Sequence, residues 1–245
     1  MPEGWRAEID EGQIVLVPPS HAHHHGIAAK VQRRLYANLP DELGVYQTLG
    51  VHVAPLDKLY VPDLVVMPSE LIDAADPDAS APMDASEALL VVEITSKGNA
   101  REDRTKKYRA HARAGVPMYL LIDRFDTRAA MATLFTEPSE HGTYKHSDAV
   151  PFGKPLALPA PFDVTLATDG FPVREIRRSG GPPRYGRWPP LRSRTGQTDA
   201  GAFAVAAAGA GSGVAVGAAS SWGTLNSARS SLLKPKKYVA RKPAR

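Results

Sequence analysis

The chain has 245 residues, no cysteine and a formal net charge of +4. The lack of cysteine excludes disulfide bonds and thiolate metal sites, and without an apolar run of about 18 residues no membrane-spanning helix is predicted. Because the N-terminus is polar and acidic and lacks the apolar core of a signal peptide, we expect a cytoplasmic protein.

Charge is distributed unevenly along the chain. Residues 1–175 carry 17 Lys and Arg against 25 Asp and Glu, a net charge of −8, whereas residues 176–245 carry 13 Lys and Arg against one acid, a net charge of +12. The basic character therefore belongs to the C-terminal part. The total charge gives no argument that the acidic part binds nucleic acid.

The same change in composition predicts two regions. Residues 1–175 are typical of a globular domain. Residues 176–245 are rich in Pro, Gly, Ala and Arg, and such a segment buries too little apolar surface to offset the entropy of ordering its backbone. We therefore predict a disordered basic tail at 176–245.

The predicted elements begin with a β-hairpin and a helix. Residues 5–9 and 13–17 flank Asp10-Glu11-Gly12, which is a turn signal. Ser20 is a candidate N-cap for a helix that runs to about Leu39, with apolar residues at helical spacing along one face.

Strands and one more helix follow. Strands are predicted at 45–53, 59–67, 89–94, 118–123, 129–136 and near 143–150, with an acidic loop at 68–87 and a helix at 100–114. The runs at 89–94 and 118–123 are almost continuously apolar, as in strands covered on both faces. The pattern predicts an α/β domain with a mixed central sheet flanked by helices.

Two acids lie in or beside predicted strands. Asp63 follows Val61-Pro62, and Glu93 lies within the apolar run that ends at Ile94. A buried carboxylate is costly unless it is paired or binds a metal, and carboxylate oxygens suit hard cations such as Mg²⁺ or Mn²⁺. The alternative is that each acid lies at a strand end in water.

Two lysines follow Asp103 at helical spacing. Lys106 and Lys107 lie three and four residues after this acid, so both are close to its face of the predicted helix. They are explained either by an ordinary surface ion pair or by a lysine directed at the metal-binding acids, where it stabilises negative charge on a phosphate. Spacing alone leaves both interpretations open.

An ordered set of short motifs extends from about Trp5 to Thr165. It comprises W-x-x-E at Trp5 and Glu8 with Gly12 and Pro18 after it, H-x-x-I-x-x-x-V-x-x-x-L from His24 to Leu35, V-P-D ending at Asp63, V-V-E-I-T-S with Glu93 and Ser96, D-x-x-x-K at Asp103 and Lys107, and A-G-V-P-x-Y-L-L-I-D at 114–123. Together these motifs resemble the Uma-two family of bacterial endonucleases, within the PD-(D/E)XK, or restriction-endonuclease-like, superfamily.

The resemblance assigns roles to several of these residues. It implies a restriction-endonuclease-like core in which Asp63 and Glu93 bind Mg²⁺ or Mn²⁺. The superfamily lysine follows the Glu by two residues, but Thr95 stands there and carries no charge. A lysine moved to the following helix is implied instead, with Lys107 as the candidate, Lys106 as the fallback and Asp103 as the acid that holds it.

Other residues are supporting candidates. Glu8 matches a family position and is either a third acid of the site or a surface residue of the hairpin. His24 matches another family position and is a candidate for lining the cleft. Ser96 is expected to shape the turn after Glu93, and Asp123 to have a structural role. His21 and His23–His25 suggest a Zn or Ni site, although only His21 and His25 share a helical face.

The resulting expectation is a metal-dependent endonuclease that hydrolyses phosphodiester bonds, with DNA as the substrate and a homodimer as the possible assembly, both by resemblance. The basic tail then supplies a sequence-independent grip on phosphates. The first alternative is a catalytically silent nucleic-acid or protein-interaction module with the same fold. The second is a different hydrolase or a metal-binding protein built on the histidine cluster.

Overall fold

The computed structural model describes residues 3–78 and 81–172, and the predicted tail at 176–245 lies outside them. Within the described ranges, no helix has both the length and the apolar character needed to cross a bilayer.

The described part begins with a hairpin and the longest helix. β1 (Arg6–Asp10) pairs antiparallel with β2 (Gln13–Val17). The two turn residues, Glu11 and Gly12, both have positive φ, which is the conformation of a two-residue type I′ turn. α1 (Ala22–Leu35) follows and buries Ile27, Val31 and Leu35. The predicted hairpin is confirmed.

The remaining elements are mostly short. In chain order they are β3 (Leu43–Gln47), β4 (Val51–Val53), β5 (Lys58–Tyr60), β6 (Leu64–Pro68), α2 (Ser69–Asp73), β7 (Met83–Asp84), β8 (Leu90–Ile94), α3 (Ala100–Glu102), α4 (Tyr108–Arg113), β9 (Met118–Asp123), β10 (Met131–Pro138), β11 (Tyr144–Pro151), β12 (Leu156–Leu158) and β13 (Val164–Leu166). A π-helical turn, Asp103–Lys107, joins α3 to α4. Single turns of 3₁₀ helix lie at Ala54–Leu56 and Ala85–Glu87.

A mixed six-stranded sheet forms the centre of the fold. Its strand order is β11-β10-β9-β8-β6-β3, in which β8 and β9 are parallel and the other neighbours are antiparallel. Every residue of β8 and β9 is buried. The predicted fold class, a mixed central sheet with flanking helices, is confirmed.

The central sheet separates two apolar clusters. On one face, Leu64, Leu90, Val92 and Ile94 pack with the apolar side of α1. On the other face, residues of β6, β8 and β9 pack with α4 and with a second sheet of order β2-β1-β5-β4-β7. Each fully buried aliphatic side chain stabilises the fold by about 1.5–3 kcal/mol.

Strand alternation places the two predicted acids on the second face. Successive side chains of a strand point to opposite faces, so Glu93 lies on the same side as Val91, and Asp63 on the same side as Val65. Val65 and Val91 both belong to the cluster under α4 and the second sheet. Glu93 therefore lies between the central sheet and the layer that covers it. Asp63 precedes β6 and lies at the end of the sheet, where it also contacts His24 of α1.

Several predicted boundaries are wrong. Ser20 does not cap α1: the capping position is His21, and no side chain makes the capping hydrogen bond. The helix ends at Leu35 rather than near Leu39, since Pro40 cannot continue a helix.

The two long strands predicted at 45–53 and 59–67 are each divided in two. Thr48, with a φ of 52°, separates β3 from β4. Pro62, which has no backbone N–H to donate, separates β5 from β6. The second break leaves Asp63 immediately before β6.

Candidate active site

Asp63 and Glu93 face each other across two neighbouring strands. The antiparallel register of β6 and β8 pairs Leu64 with Val92, so the next pair outward is Asp63 with Glu93. The backbone N–H of Ile94 donates to Asp63 Oδ2 over 2.8 Å, which ties the two strand ends together. Both acids are buried, with exposed fractions of 7% for Asp63 and 1% for Glu93.

Asp63 is surrounded by positive and polar groups. His24 Nε2 lies 2.8 Å and Arg6 Nη1 3.6 Å from Asp63 Oδ1. Burial by itself raises the pKa of Asp63, but His24, the Ile94 N–H and Arg6 outweigh it and lower the pKa below its ordinary value. Asp63 therefore remains a carboxylate at neutral pH.

Lys107 reaches into the same space from the π-helical turn. Its Nζ lies 2.8 Å from Glu8 Oε1, 3.3 Å from Glu93 Oε1 and 3.7 Å from Asp103 Oδ1. The ammonium also lies 5.6 Å from the centre of the Tyr60 ring, within cation–π range. Burial lowers the pKa of Lys107, but the three acids outweigh burial and raise it above its ordinary value.

Glu8 comes to this point from β1. Its Oε1 accepts hydrogen bonds from Lys107 Nζ over 2.8 Å and from the backbone N–H of Val61 over 3.1 Å. Only 4% of the residue is exposed. Glu8 is therefore not a surface residue of the hairpin: it lies in the same cluster as Lys107 and Glu93.

The cluster carries more acid than its cations neutralise. Burial raises the pKa of Glu93 well above its ordinary value, and the charges of Asp103, Asp63 and Glu8 raise it further against the opposing effect of Lys107. Burial likewise raises the pKa of Asp103 to about 7. Neither oxygen of Asp103 has a hydrogen-bond partner among the described residues, and the same holds for Glu93 Oε1.

Lys106 belongs to a separate, more exposed cluster. Its Nζ lies 2.6 Å from Asp10 Oδ2, while Lys58 Nζ lies 2.5 Å from Asp10 Oδ1. The Tyr60 hydroxyl donates to the same Oδ1 over 3.0 Å. Of the two candidate lysines, Lys107 is therefore the one that the structure brings to Glu93.

Thr95 replaces the superfamily lysine with a structural hydrogen bond. It is fully buried, and its hydroxyl donates to Asp123 Oδ1 over 3.1 Å. Asp123 also accepts two hydrogen bonds from Arg104, over 2.6 and 2.8 Å. These contacts link the ends of β8 and β9 to the helical segment that carries Lys107.

Ser96 and the histidines have distinct surroundings. The Ser96 backbone N–H and hydroxyl both donate to Asn99 Oδ1 over 2.6 Å, which shapes the turn between β8 and α3. Of the four clustered histidines only His24 is buried, beside Asp63, whereas His21, His23 and His25 are exposed.

Three residues near the site were not predicted from the sequence. Arg6 and Asp10 flank Glu8 at two-residue spacing, and this period places all three on one face of β1. His111 is fully buried between the rings of Tyr60 and Tyr119, at centroid distances of 5.9 and 5.8 Å. Burial and the charge of Lys107 lower the pKa of His111 to about 3, so its imidazole is neutral.

The residues present suit a divalent cation by their chemistry. Among the described residues, no three His, Asp or Glu side chains are spaced to hold a metal ion as they stand. The donors nevertheless include the carboxylates of Asp63 and Glu93 and a buried Glu93 oxygen without a hydrogen-bond partner. The pKa of Glu93 is raised by burial first and by the neighbouring acids after it. Oxygen donors of this kind are those that Mg²⁺ and Mn²⁺ prefer.

Known proteins share this fold. The model of the Uma2 family, described as "Putative restriction endonuclease", matches residues 1–169. A solved structure, described as "a putative nuclease belonging to DUF820 from Anabaena variabilis ATCC 29413", aligns with a TM-score of 0.52 and 18% identity over 66% of this chain and 87% of the other. At this identity the structural likeness establishes the fold. A comparison with the curated proteins found no match.

Proposed function

Because the chain belongs to the Uma2 family, we propose that the cluster around Lys107 is the active site of a divalent-metal-dependent endonuclease acting on DNA. The observation that carries this proposal is the convergence of Glu8, Glu93 and Lys107 from a hairpin, a strand and a helix. Lys107 Nζ lies 2.8 and 3.3 Å from the two glutamates, and Asp63 faces Glu93 across the strands.

Asp63 and Glu93 are the residues that would hold Mg²⁺ or Mn²⁺. When bound, such a cation neutralises negative charge on the phosphate and makes a nearby water more acidic. Glu93 must give up any proton it holds before it can act as a ligand, whereas the lowered pKa of Asp63 keeps that acid ready.

Lys107 supplies positive charge rather than proton acceptance. Its pKa is raised by the surrounding acids, so the ammonium stays protonated throughout the neutral range and cannot act as a general base. Held between Glu8 and Glu93, it stabilises the negative charge that develops on the phosphate in the transition state. A single well-placed donor of this kind contributes about 10²–10³-fold in rate.

DNA is the proposed substrate, with the basic tail as its non-specific grip. The first 175 residues have a net charge of −8, which opposes binding to phosphates, whereas residues 176–245 have a net charge of +12. Contacts from such a tail weaken steeply with salt. Homodimerisation stays a prediction, which light scattering of the full chain would check.

The test of the function is nicking of supercoiled plasmid by the full chain. Nicking is expected with Mg²⁺ or Mn²⁺ and not with EDTA, and it must disappear on Asp63→Asn. Metal-dependent nicking that survives Asp63→Asn would place the activity elsewhere or in a contaminant.

One observation favours the silent module as a second candidate. Lys107 already pairs with three acids, so the cluster is an ion network that holds together without a metal. Calorimetric titration with Mn²⁺ separates the two candidates. Binding that depends on Asp63 and Glu93 together with nicking supports the nuclease, whereas nucleic-acid binding without metal uptake or nicking supports the module.

A further inference from the structure

Two clefts of about 420 Å³ open on either side of Arg6. The first, here called the Trp5 cleft, is lined by Trp5, His24, His25, Gln47, Thr48 and Asp63. The second, here called the lysine cleft, is lined by Tyr60, Ser96, Lys97, Asn99 and Lys106 among others. Arg6, Pro19 and Ser20 line both clefts and so form the ridge between them.

The Trp5 cleft combines aromatic rings with polar groups. The indole of Trp5 makes no ring contact or side-chain hydrogen bond with the other described residues, and the imidazole of His25 is exposed. Gln47 and Thr48 add amide and hydroxyl groups at the same cleft. A nucleobase has a flat π face that stacks on such rings and a polar edge that bonds to such groups.

His24 gives an independent sign of a ligand in this cleft. Only 4% of the residue is exposed, yet its Nδ1 has no hydrogen-bond partner in the described part of the chain. Its Nε2 lies 2.8 Å from Asp63 Oδ1. A buried, unpartnered ring nitrogen is costly, and the residue that carries it lines the cleft.

Arg6 connects the Trp5 cleft to the active site. Its Nη1 lies 3.6 Å from Asp63 Oδ1 and donates to the Val61 carbonyl over 3.2 Å. A guanidinium has five N–H donors, so the remaining donors can bind phosphate oxygens. A phosphate at this ridge lies beside Asp63, one of the two candidate metal ligands.

We infer that the substrate strand is unpaired where it crosses the active site, with one nucleobase in the Trp5 cleft and the adjoining phosphate at Arg6 beside Asp63. This inference rests on the proposed function and names its substrate as single-stranded or splayed DNA. A base within a duplex is stacked on both faces and paired at its polar edge, so it enters such a cleft only after it has left the duplex.

The lysine cleft accepts the next part of the strand. Lys97 brings positive charge to its wall, and the Ser96 and Asn99 side chains bring hydrogen-bonding groups. Lys106 is paired with Asp10, and Glu102 adds an acid to the same wall. A strand that crosses the ridge therefore passes from the aromatic rings of the Trp5 cleft to Arg6 and Lys97, and aromatic rings beside cations are the combination typical of single-strand binding sites.

The experiment measures binding of a fluorescein-labelled single-stranded oligodeoxynucleotide, and of its duplex, by anisotropy with the full chain. EDTA prevents metal-dependent cleavage, and moderate salt suppresses non-specific contacts from the basic tail. The unpaired strand is expected to bind at least roughly tenfold more tightly than the duplex. Trp5→Ala should weaken single-strand binding roughly tenfold, the range for loss of one base stack, while Trp5→Phe keeps most of it.

Two exposed histidines provide matched variants that leave the core intact. His25 lines the Trp5 cleft and His23, two residues earlier on α1, does not. His25→Ala should therefore weaken single-strand binding several-fold, and His23→Ala should leave it unchanged.

Duplex binding equal to or tighter than single-strand binding would overturn the inference. So would unchanged binding by Trp5→Ala and His25→Ala together. Nicking assays on the same proteins distinguish the two proposals. Metal-dependent cleavage that does not depend on Trp5 supports the nuclease proposal and contradicts base binding in the Trp5 cleft. Binding that depends on Trp5, without any cleavage, supports base binding in the cleft and contradicts the nuclease proposal.

Discussion

Two neighbouring lysines take part in two different acid clusters. Lys107 lies in a buried cluster with Glu8, Glu93 and Asp103, and Lys106 lies in an outer cluster with Asp10. In the buried cluster the pKa values of Glu93 and Asp103 are raised, chiefly by burial. In the outer cluster burial raises the pKa of Asp10, but hydrogen bonds from Lys106, Lys58 and Tyr60 outweigh burial and lower this pKa to about 2.

The difference shows what each cluster is suited to do. Asp10 is one acid shared by two lysines and a tyrosine hydroxyl, so its charge is fully compensated and it fastens the hairpin to the helix. In the buried cluster one lysine serves three acids, and the raised pKa values of Glu93 and Asp103 mean that these two acids favour their neutral forms. A protein gains little stability from such an arrangement, and perturbed carboxyl pKa values of this kind are typical of functional sites.

The largest expected effect separates the acids of the two clusters. Glu93→Gln should reduce plasmid nicking to the background, because Glu93 is a candidate metal ligand. Asp10→Asn, a substitution of the same kind in the outer cluster, should retain activity. Both proteins are compared in initial nicking rate with Mg²⁺ and with Mn²⁺. Equal losses in the two variants would mean that the clusters act as one.

The second comparison uses the two lysines. Lys107→Met should lower the cleavage rate by about 10²–10³-fold, as expected for loss of one charge that stabilises the transition state. Lys106→Met removes the same group one residue earlier, where it is paired with Asp10, and should lower the rate far less than Lys107→Met when the enzyme is in saturating excess. Single-turnover cleavage measures both. A larger loss with Lys106→Met would reverse the assignment of the catalytic lysine.

The third comparison concerns pH and stability. The pKa of Asp103 is about 7 in the folded protein against an ordinary 3.8, so between these values the folded state keeps a proton that the unfolded state has released. The free energy of unfolding then falls as pH rises, by up to about 1.4 kcal/mol per pH unit. Asp103→Asn should remove this pH-dependent fall in the free energy of unfolding. The stability of the variant relative to the wild type therefore increases between pH 3.8 and about 7 and is constant above that range.

Asp10→Asn is the control with the opposite sign. The pKa of Asp10 is lowered to about 2, so its contribution is present above the ordinary value of 3.8 and is lost as pH falls towards 2. The variant should therefore be less stable than the wild type by a constant amount at neutral pH. Urea unfolding across a pH series measures both variants, and parallel curves for Asp103→Asn and the wild type would contradict the raised pKa.

The smallest expected effect concerns Thr95. Thr95→Val removes the hydroxyl that donates to Asp123 and accepts from the Arg124 N–H. We expect a loss of about 1–2 kcal/mol in the free energy of unfolding, with no change in cleavage rate at temperatures where the protein is folded. Thr105→Val, at an exposed position of the π-helical turn, is the control and should be close to the wild type. A selective loss of cleavage in Thr95→Val would give this position a part in the chemistry.

The sequence predicted those parts of the fold whose patterns are strong and local. The hairpin has a turn signal with glycine at its second central position, and β8 and β9 are continuous apolar runs. The prediction of Ser20 as the N-cap of α1 was wrong. Several residues before a helix are candidates for this position, and here no side chain makes the capping hydrogen bond. Strands β12 and β13 were not predicted, because each has only three residues.

The site was predicted less completely than the fold. A single acid within an apolar run indicated Glu93. Lys107 was singled out only by resemblance, since spacing left Lys106 equally open. The π-helical turn directs the two lysines to different clusters. Neither composition nor hydrophobic periodicity predicted this turn. Arg6 and Asp10 were accessible to prediction, since both lie two residues from Glu8 in the predicted hairpin, and side chains at this spacing on a strand share a face.

The hydrogen bond between Glu8 and Lys107 joins residues that are 99 positions apart. During synthesis, Glu8 leaves the ribosome long before Lys107 and the strand that follows it, and contacts of such long range form only when the intervening chain has folded. An incomplete translation product therefore contains some of the reactive groups but not their arrangement. The long span of this one contact therefore makes the assembly of the proposed active site conditional on a finished domain.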